Sequence, residues 1–339
     1  MQRSHFGPGP FITAVVLTIA MTAMCQAAGF TFATVNDPGA TQTYLYGVND
    51  SGVAVGYAYY SGGAGGYSSF SYNGSSFTTL SDPSSVDGAY GTYASGINDS
   101  GQIVGYYSAS LGASGFLYNG STWTALNDPN VASGDNTYAQ GINNAGSVVG
   151  FYADSQGGYQ GFLYNGSTYT TLTDPNAIAS GGTYATGIND SGEVVGYYED
   201  TSDQYHGFLY NGSTWTTLTD PNGCSYCTDA YGINDAGTVV GLYSNSLGQT
   251  FGFTYSGSTY TTLNAPVGSA DTTEAYAIAG NGEIVGIVDG ASGYEGFTAI
   301  PNAPEPGTFP LLAGALLFAC PLWRRLRLTG FRGCSPPAR

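Results

Sequence analysis

Short runs of small and β-branched residues alternate with polar turns along almost the whole body of the chain. The fullest copy is Tyr184-Ala185-Thr186-Gly187-Ile188-Asn189-Asp190-Ser191-Gly192-Glu193-Val194-Val195-Gly196-Tyr197-Tyr198. It reads as a strand of small residues (184–189), a tight turn and a β-branched strand (193–198). Runs this short, bounded by Asn, Asp, Ser and Gly, predict strands and hairpins rather than helices. Asn189 opens a type I turn through its side chain, and Gly192 supplies the left-handed residue that returns the chain. A second hairpin follows, with strands 207–210 and 214–218 turning on Asn211-Gly212, a pair favoured for type I′ turns. The step Asp220-Pro221 then ends the pairing, because proline has no N–H to give to a ladder.

This unit recurs. Its hexapeptide Gly-Ile-Asn-Asp-Ser-Gly begins at Gly47, Gly96, Gly141, Gly187, Gly232 and, degraded, Ala277, in steps of 49, 45, 46, 45 and 45 residues. A fixed period of this length marks a repeat architecture. The second hairpin turns again at Asn73-Gly74, Asn119-Gly120, Asn165-Gly166 and Ser256-Gly257; the stops are Asp82-Pro83, Asp128-Pro129, Asp174-Pro175 and Ala265-Pro266. The two ends of the array are split. Residues 30–36 look like a fourth strand with its stop Asp37-Pro38 but no first three, whereas 276–300 supply three strands and lack the fourth. Together they make one unit, which is how a ring closes. The expectation is all-β: a six-bladed β-propeller over 29–303, completed by the N-terminal strand. An open solenoid would have no use for the split unit. First strands crowd the axis and carry Ala94-Ser95-Gly96, Ala139-Gln140-Gly141 and Ala185-Thr186-Gly187. Third-strand Phe70, Phe116, Phe162, Phe208, Phe253 and Phe297 and fourth-strand Phe77, Trp123, Tyr169, Trp215 and Tyr260 are expected to pack between blades.

Charge narrows the function. The six basic residues, Arg3, Arg324, Arg325, Arg327, Arg332 and Arg339, all lie at the two ends. Residues 29–303 hold no Lys or Arg against 22 Asp and Glu, the 23 of the chain less Glu305. Such a body repels phosphate backbones, which excludes nucleic acid, and it has no Arg or Lys to clamp an anionic substrate. Cations, neutral glycans and basic partners stay open; acidic charge that merely keeps the protein soluble is the plainer account.

The ends read as addresses. Residues 1–28 fit a secretory signal peptide: Arg3, an apolar run over 11–24 and small residues around Ala27 and Ala28, where cleavage is expected. Residues 304–339 hold Pro304-Glu305-Pro306, an apolar stretch barely long enough to span a bilayer, and Arg324, Arg325 and Arg327 behind it, which would keep the tail cytoplasmic. The three parts in this order resemble the PEP-CTERM sorting signal of Gram-negative bacteria. The resemblance implies a single C-terminal transmembrane helix, transient inner-membrane anchoring, processing by an exosortase-type enzyme near Pro304–Pro306, and delivery to the cell envelope, outer surface or exterior. An ordinary single-helix anchor is the alternative.

Candidate chemistry lies where the repeats differ. Tyr44, Tyr93, Tyr138 and Tyr184 open the innermost strands of four units; Asp229 and Glu274 take that place in units five and six. Two positions on, Tyr46, Tyr231 and Tyr276 replace Ser95, Gln140 and Thr186. Blades five, six and one adjoin in a closed ring, so one sector near the axis would hold two carboxylates and three tyrosines, a glycan or cation pocket. Paired carboxylates could also serve a glycosidase; drift among solvated strand ends is the plainer account. Cys224 and Cys227 flank a loop in an exported body, where a local disulfide is expected. A zinc site would need more ligands than these two thiols and His206, so no metal site is assigned. His206 has no Ser or Cys motif beside it and no triad role. The tip Glu199-Asp200-Thr201-Ser202-Asp203 offers oxygens for weakly held calcium but lacks the spacing of a calcium loop. No other cofactor is expected.

Gly-Ile-Asn-Asp-Ser-Gly-Glu-Val-Val-Gly followed by Gly-Phe-Leu-Tyr-Asn-Gly resembles the HAF family of extracellular bacterial repeats, over roughly residues 44–297. That family takes its name from a His-Ala-Phe tripeptide. Here the positions read Ser69-Phe70, Gly115-Phe116, Gly161-Phe162, His206-Gly207-Phe208, Gly252-Phe253 and Gly296-Phe297, and only the fourth unit keeps the histidine. The resemblance carries no enzymatic activity. The functional expectation is an exported, monomeric, non-enzymatic repeat protein of the cell envelope or extracellular biofilm matrix, with no catalytic residues, that binds polysaccharide or protein. The alternatives are a glycan-active hydrolase or lyase using Asp229 and Glu274, and a purely structural surface protein.

Overall fold

The computed structural model describes residues 29–302, apart from 62–64, 87–90, 111, 132–135, 179–181, 225–226, 267–271 and 291–292, and the backbone of 25–27. The chain divides into a unit Met1–Pro301 and a unit Asn302–Arg339. Pro304, Glu305, Pro306 and the expected transmembrane helix lie outside the described residues. Among the described residues no helix is long and apolar enough to cross a membrane.

The six units fold as four-stranded antiparallel blades. Blade 1 comprises Gln42–Val48, Ala54–Tyr60, Gly66–Tyr72 and Phe77–Leu80. Blades 2 and 3 occupy 92–126 and 137–172. Blade 4 comprises Thr183–Ile188, Val194–Glu199, Tyr205–Tyr210 and Trp215–Leu218. Blade 5 spans 227–263, and a short parallel pairing of Tyr205 and His206 with Cys227 and Thr228 joins it to blade 4 in one eight-stranded sheet. Blade 6 is the split one. Thr273–Ile278, Ile284–Gly290 and Gly293–Pro301 take their outer strand from Phe30–Val35, in the register Phe30↔Pro301 to Val35↔Gly296. The backbone of Cys25–Ala27, inside the segment read as a leader, adds a fifth strand there. The chain is a six-bladed β-propeller closed by its N-terminal strand.

Blade-to-blade packing supplies the core. The third-strand phenylalanines are at most 2% exposed. Phe116, for example, sits with Tyr107, Ile97 and Ile103 of its own blade against Val55 and Leu80 of the blade before it, with Trp123 alongside. The fourth-strand aromatics lie edge-on to these phenylalanines, at centroid distances of 4.9 Å for Phe116–Trp123 and Phe208–Trp215.

The repeated Asn-Asp turn has two jobs. Asn49 Oδ1 accepts from the N–H of Ser51 and Val53 and forms the turn. Its Nδ2 donates to Asn98 O of the next blade (3.1 Å), and the same link runs from Asn98 to Asn143, Asn143 to Asn189, Asn189 to Asn234 and Asn234 to Ala279. Blade 6 has Ala279 where the others have Asn; there Asn281 Nδ2 donates to Asp50 O and Gly280 N–H to Asp50 Oδ1, closing the circle. At the opposite end, the buried threonine that opens each inner strand accepts from the end of the outer strand one blade back. Asp82 N–H meets Thr92 Oγ1, Asp174 N–H meets Thr183 Oγ1, and Asp37 N–H meets Thr43 Oγ1.

Candidate functional site

Each inner strand carries a β-bulge, and the bulge decides what faces the axis. The register slips between Leu45 and Gly47, Ala94 and Gly96, Ala139 and Gly141, Ala185 and Gly187, Ala230 and Gly232, and Ala275 and Ala277. The extra residues are therefore Tyr46, Ser95, Gln140, Thr186, Tyr231 and Tyr276, and all six line an axial cavity. A bulge re-aims one side chain without moving its strand. Tyr46, Tyr231 and Tyr276 pack on one another across the axis, with centroids 4.5 Å apart for Tyr46–Tyr276 and 4.9 Å for Tyr231–Tyr276. The cavity left among them is about 70 Å³, far below the ~300 Å³ at which small-molecule pockets begin. The three tyrosines plug the axis; they do not present open stacking faces.

Around this plug runs a circle of aromatic rings at the mouth where the inner strands start. In blades 1 to 4 the opening tyrosine lies against an aromatic of the second strand: Tyr44–Tyr57 (5.2 Å), Tyr93–Tyr106 (4.8 Å), Tyr138–Phe151 (5.0 Å) and Tyr184–Tyr197 (4.7 Å). Blades 5 and 6 break the circle. Asp229 pairs in register with Leu242 and Glu274 with Ile287. The sector expected from sequence is thus assembled: Asp229 and Glu274 side by side in adjoining blades, backed by Tyr231, Tyr276 and Tyr46.

The two carboxylates differ in their surroundings. Glu274 accepts a short hydrogen bond from the Tyr276 hydroxyl, and burial raises its pKa against that bond. Asp229 Oδ1 is buried and no donor among the described residues reaches it. Burial first, and the Glu274 charge second, push its carboxyl up to about 6, while His206 pulls the other way. The hydroxyls of Tyr231 and Tyr276 are held well above the ordinary tyrosine range, chiefly by burial, so both are neutral donors. Tyr46 is raised for the same reason and accepts a hydrogen bond from Tyr57.

Two aromatics missed from sequence flank this sector. Tyr205 in blade 4 is 41% exposed and Tyr294 in blade 6 is 37% exposed. Each stands three residues before the third-strand phenylalanine, where blades 2 and 5 have Ala113 and Thr250. The expected third strand began at Gly207; the observed one begins at Tyr205, which carries this ring to the mouth. Tyr205 feels the charge of Asp229, and Tyr294 lies 5.6 Å from Tyr44. A tyrosine three residues upstream of the repeated Gly-Phe was the available signal.

The remaining sequence candidates lie elsewhere. A disulfide joins Cys224 to Cys227 in the crossover before blade 5. His206 Nε2 lies 3.0 Å from Asp200 Oδ2, and its ring stacks on Tyr198. The loop tip proposed for calcium is closed by its own turn: Asp200 Oδ1 accepts from Ser202 and Gln204 N–H. Among the described residues no three His, Cys, Asp or Glu side chains gather as a metal site.

Residues 127–225 match the model of a family described as "Protein of unknown function (DUF3466)". No curated protein matches the chain. Solved structures similar to it include the Aleuria aurantia lectin, a six-bladed β-propeller with a fucose recognition mode. It is 15% identical, with 78% of this chain and 98% of the lectin covered and a TM-score of 0.47. The SapL1 lectin, solved with α-methyl fucoside, is 15% identical over 78% of this chain and 97% of its own, with a TM-score of 0.49. The Trypanosoma rangeli sialidase is 11% identical over 76% and 54%, with a TM-score of 0.43. The assignment of the propeller rests on this chain's own strand pairing, and the family match over 127–225 spans blades 3 and 4 with the connections on either side of them.

Proposed function

We propose that this is an exported, non-enzymatic binding propeller of the cell envelope or extracellular matrix, and that it takes neutral polysaccharide at the mouth bearing Asp229 and Glu274. The carrying observation is the single broken sector in an otherwise repeated aromatic circle. There a buried carboxylate oxygen that no donor among the described residues reaches lies between blades that expose Tyr205 and Tyr294. Neutral glycans offer what such a sector lacks: hydroxyl donors for the carboxylates and C–H faces for the rings. Anionic glycans would meet Asp229, Glu274 and no cation. Export follows from the leader-like 1–28 and the resemblance of 304–339 to a PEP-CTERM signal, and the HAF-like repeats belong with that address. Catalysis by the carboxylate pair is the lesser reading, because the tyrosine plug leaves no room for a sugar to sit between the carboxylates and the axis.

The test is a glycan-binding screen on the purified protein with and without calcium. Asp229→Asn and Tyr205→Ala should each weaken binding of any neutral glycan found by about tenfold, about 1.4 kcal/mol. Binding indifferent to both substitutions would remove the mouth from consideration. Glycan hydrolysis abolished by Glu274→Gln would overturn the non-enzymatic reading.

A further inference from the structure

The six interfaces between blades are not equally filled. The residue after the third-strand phenylalanine faces the next blade, and Leu117, Leu163 and Leu209 pack into the clusters that follow blades 2, 3 and 4. Blades 5 and 6 carry Thr254 and Thr298, which keep a methyl group; blade 1 carries Ser71, which has none. Between blades 1 and 2, where Ser71 stands, lies a cavity of about 380 Å³. It is floored by buried Leu80, Ile97 and Ile103, walled by Tyr118, and presents the hydroxyls of Ser71 and Thr78. Unlike the axial cavity, it falls within the ~300–1,000 Å³ that small ligands occupy. Asp99 of the neighbouring turn stands at its lip, at the end of the ring opposite Asp229.

We propose that this interblade cavity is a second binding site, for one neutral sugar unit. The ligand is neutral because residues 29–303 contain no Lys or Arg to receive an anion and Asp99 repels one. It is amphipathic because a pure hydrocarbon would leave the hydroxyls of Ser71 and Thr78 facing apolar atoms, an uncompensated desolvation. A pyranose meets both conditions, with a C–H face for Tyr118 and the aliphatic floor and hydroxyl edges for Ser71 and Thr78. The site is independent of the mouth described above and stands or falls separately from it.

Ligand-observed saturation-transfer NMR on the full chain, with the methyl glycosides of glucose, galactose and mannose as probes, tests this. At least one glycoside should bind with a millimolar Kd. Ser71→Leu installs the residue that fills three sister interfaces; it should abolish the signal, keep or raise the melting temperature, and leave polysaccharide binding at the opposite mouth unchanged. Thr78→Val, which removes a hydroxyl without filling space, should weaken binding three- to tenfold and covers the case in which Ser71→Leu fails to fold. The proposal is overturned if none of the three glycosides binds, if binding survives Ser71→Leu undiminished, or if Asp229→Asn abolishes the same signal, which would place the sugar at the other mouth.

Discussion

Asp229 carries a carboxylate where four sister blades carry a tyrosine ring, and the exchange has an energetic signature. An aspartate titrates near 3.8 in the unfolded chain, while burial and the neighbouring Glu274 push Asp229 up to about 6 in the fold. Between these values the folded chain holds a proton that the unfolded chain has lost. Stability from this group is therefore full below about pH 4 and is lost as pH rises through 6. At neutral pH the rise costs about 3 kcal/mol. Asp128, Asp174 and Asp220, buried at the Asp-Pro stops, are also raised by burial and act in the same direction. Asp229→Asn removes one such term. Its melting temperature should exceed the parent's by several degrees at pH 7, at roughly 2–4 °C per kcal/mol for a body of this size, and the two should converge near pH 4. A shift of equal size at both pH values would mean that packing, not charge, separates them.

The glycine of each second strand explains why the Val-Val-Gly text recurs. It stands opposite the bulge, and a Cβ on Gly196 would come 1.9 Å from Tyr184 O and 2.8 Å from Phe208 Cζ. Backbone and a buried ring both block it, so Gly196→Ala should cost at least about 3 kcal/mol. Gly192→Ala, in the open turn at φ 83° with nothing within 4 Å, should cost only the left-handed strain of about 1–2 kcal/mol. Thermal or urea unfolding ranks the two; the reverse order would show that the bulge yields. The hairpins and stops were legible because alternation, Asn-Gly turns and Asp-Pro steps act within a few residues. The amide donated from Asn49 to Asn98 was not, because its acceptor lies a whole repeat away; nor was the threonine at each blade junction, whose partner is near in sequence but belongs to the blade before it. The carboxylate sector was readable from broken symmetry alone. That Tyr46, Tyr231 and Tyr276 would fill the axis was not, since it depends on how little space six bulged strands enclose.

Closure governs the molecule as a whole. Every interface is stitched by the same kinds of bond, and the last uses chain segments more than two hundred residues apart: Gly280 and Asn281 hold Asp50, while Phe30–Val35 completes the sheet of blade 6. Phe32 is fully buried on Phe297, with ring centroids 5.7 Å apart, and Val35 packs against Leu45 of blade 1. Removing 30–36 from the full chain would strip six backbone pairs from the strand Gly293–Pro301, open a cavity at Phe297 and uncover the blade 6–blade 1 interface. Loss of a buried phenylalanine alone costs about 3–5 kcal/mol, against a total stability of order 5–15 kcal/mol. In a ring this damage is not local, because blade 1 loses its neighbour on one side. The deletion should lower the melting temperature by more than about 10 °C or abolish the cooperative transition. An array that merely lost a terminal strand would retain most of its stability by nearest-neighbour contacts. A shift of only two or three degrees would therefore mean that the six blades hold without their closing strand.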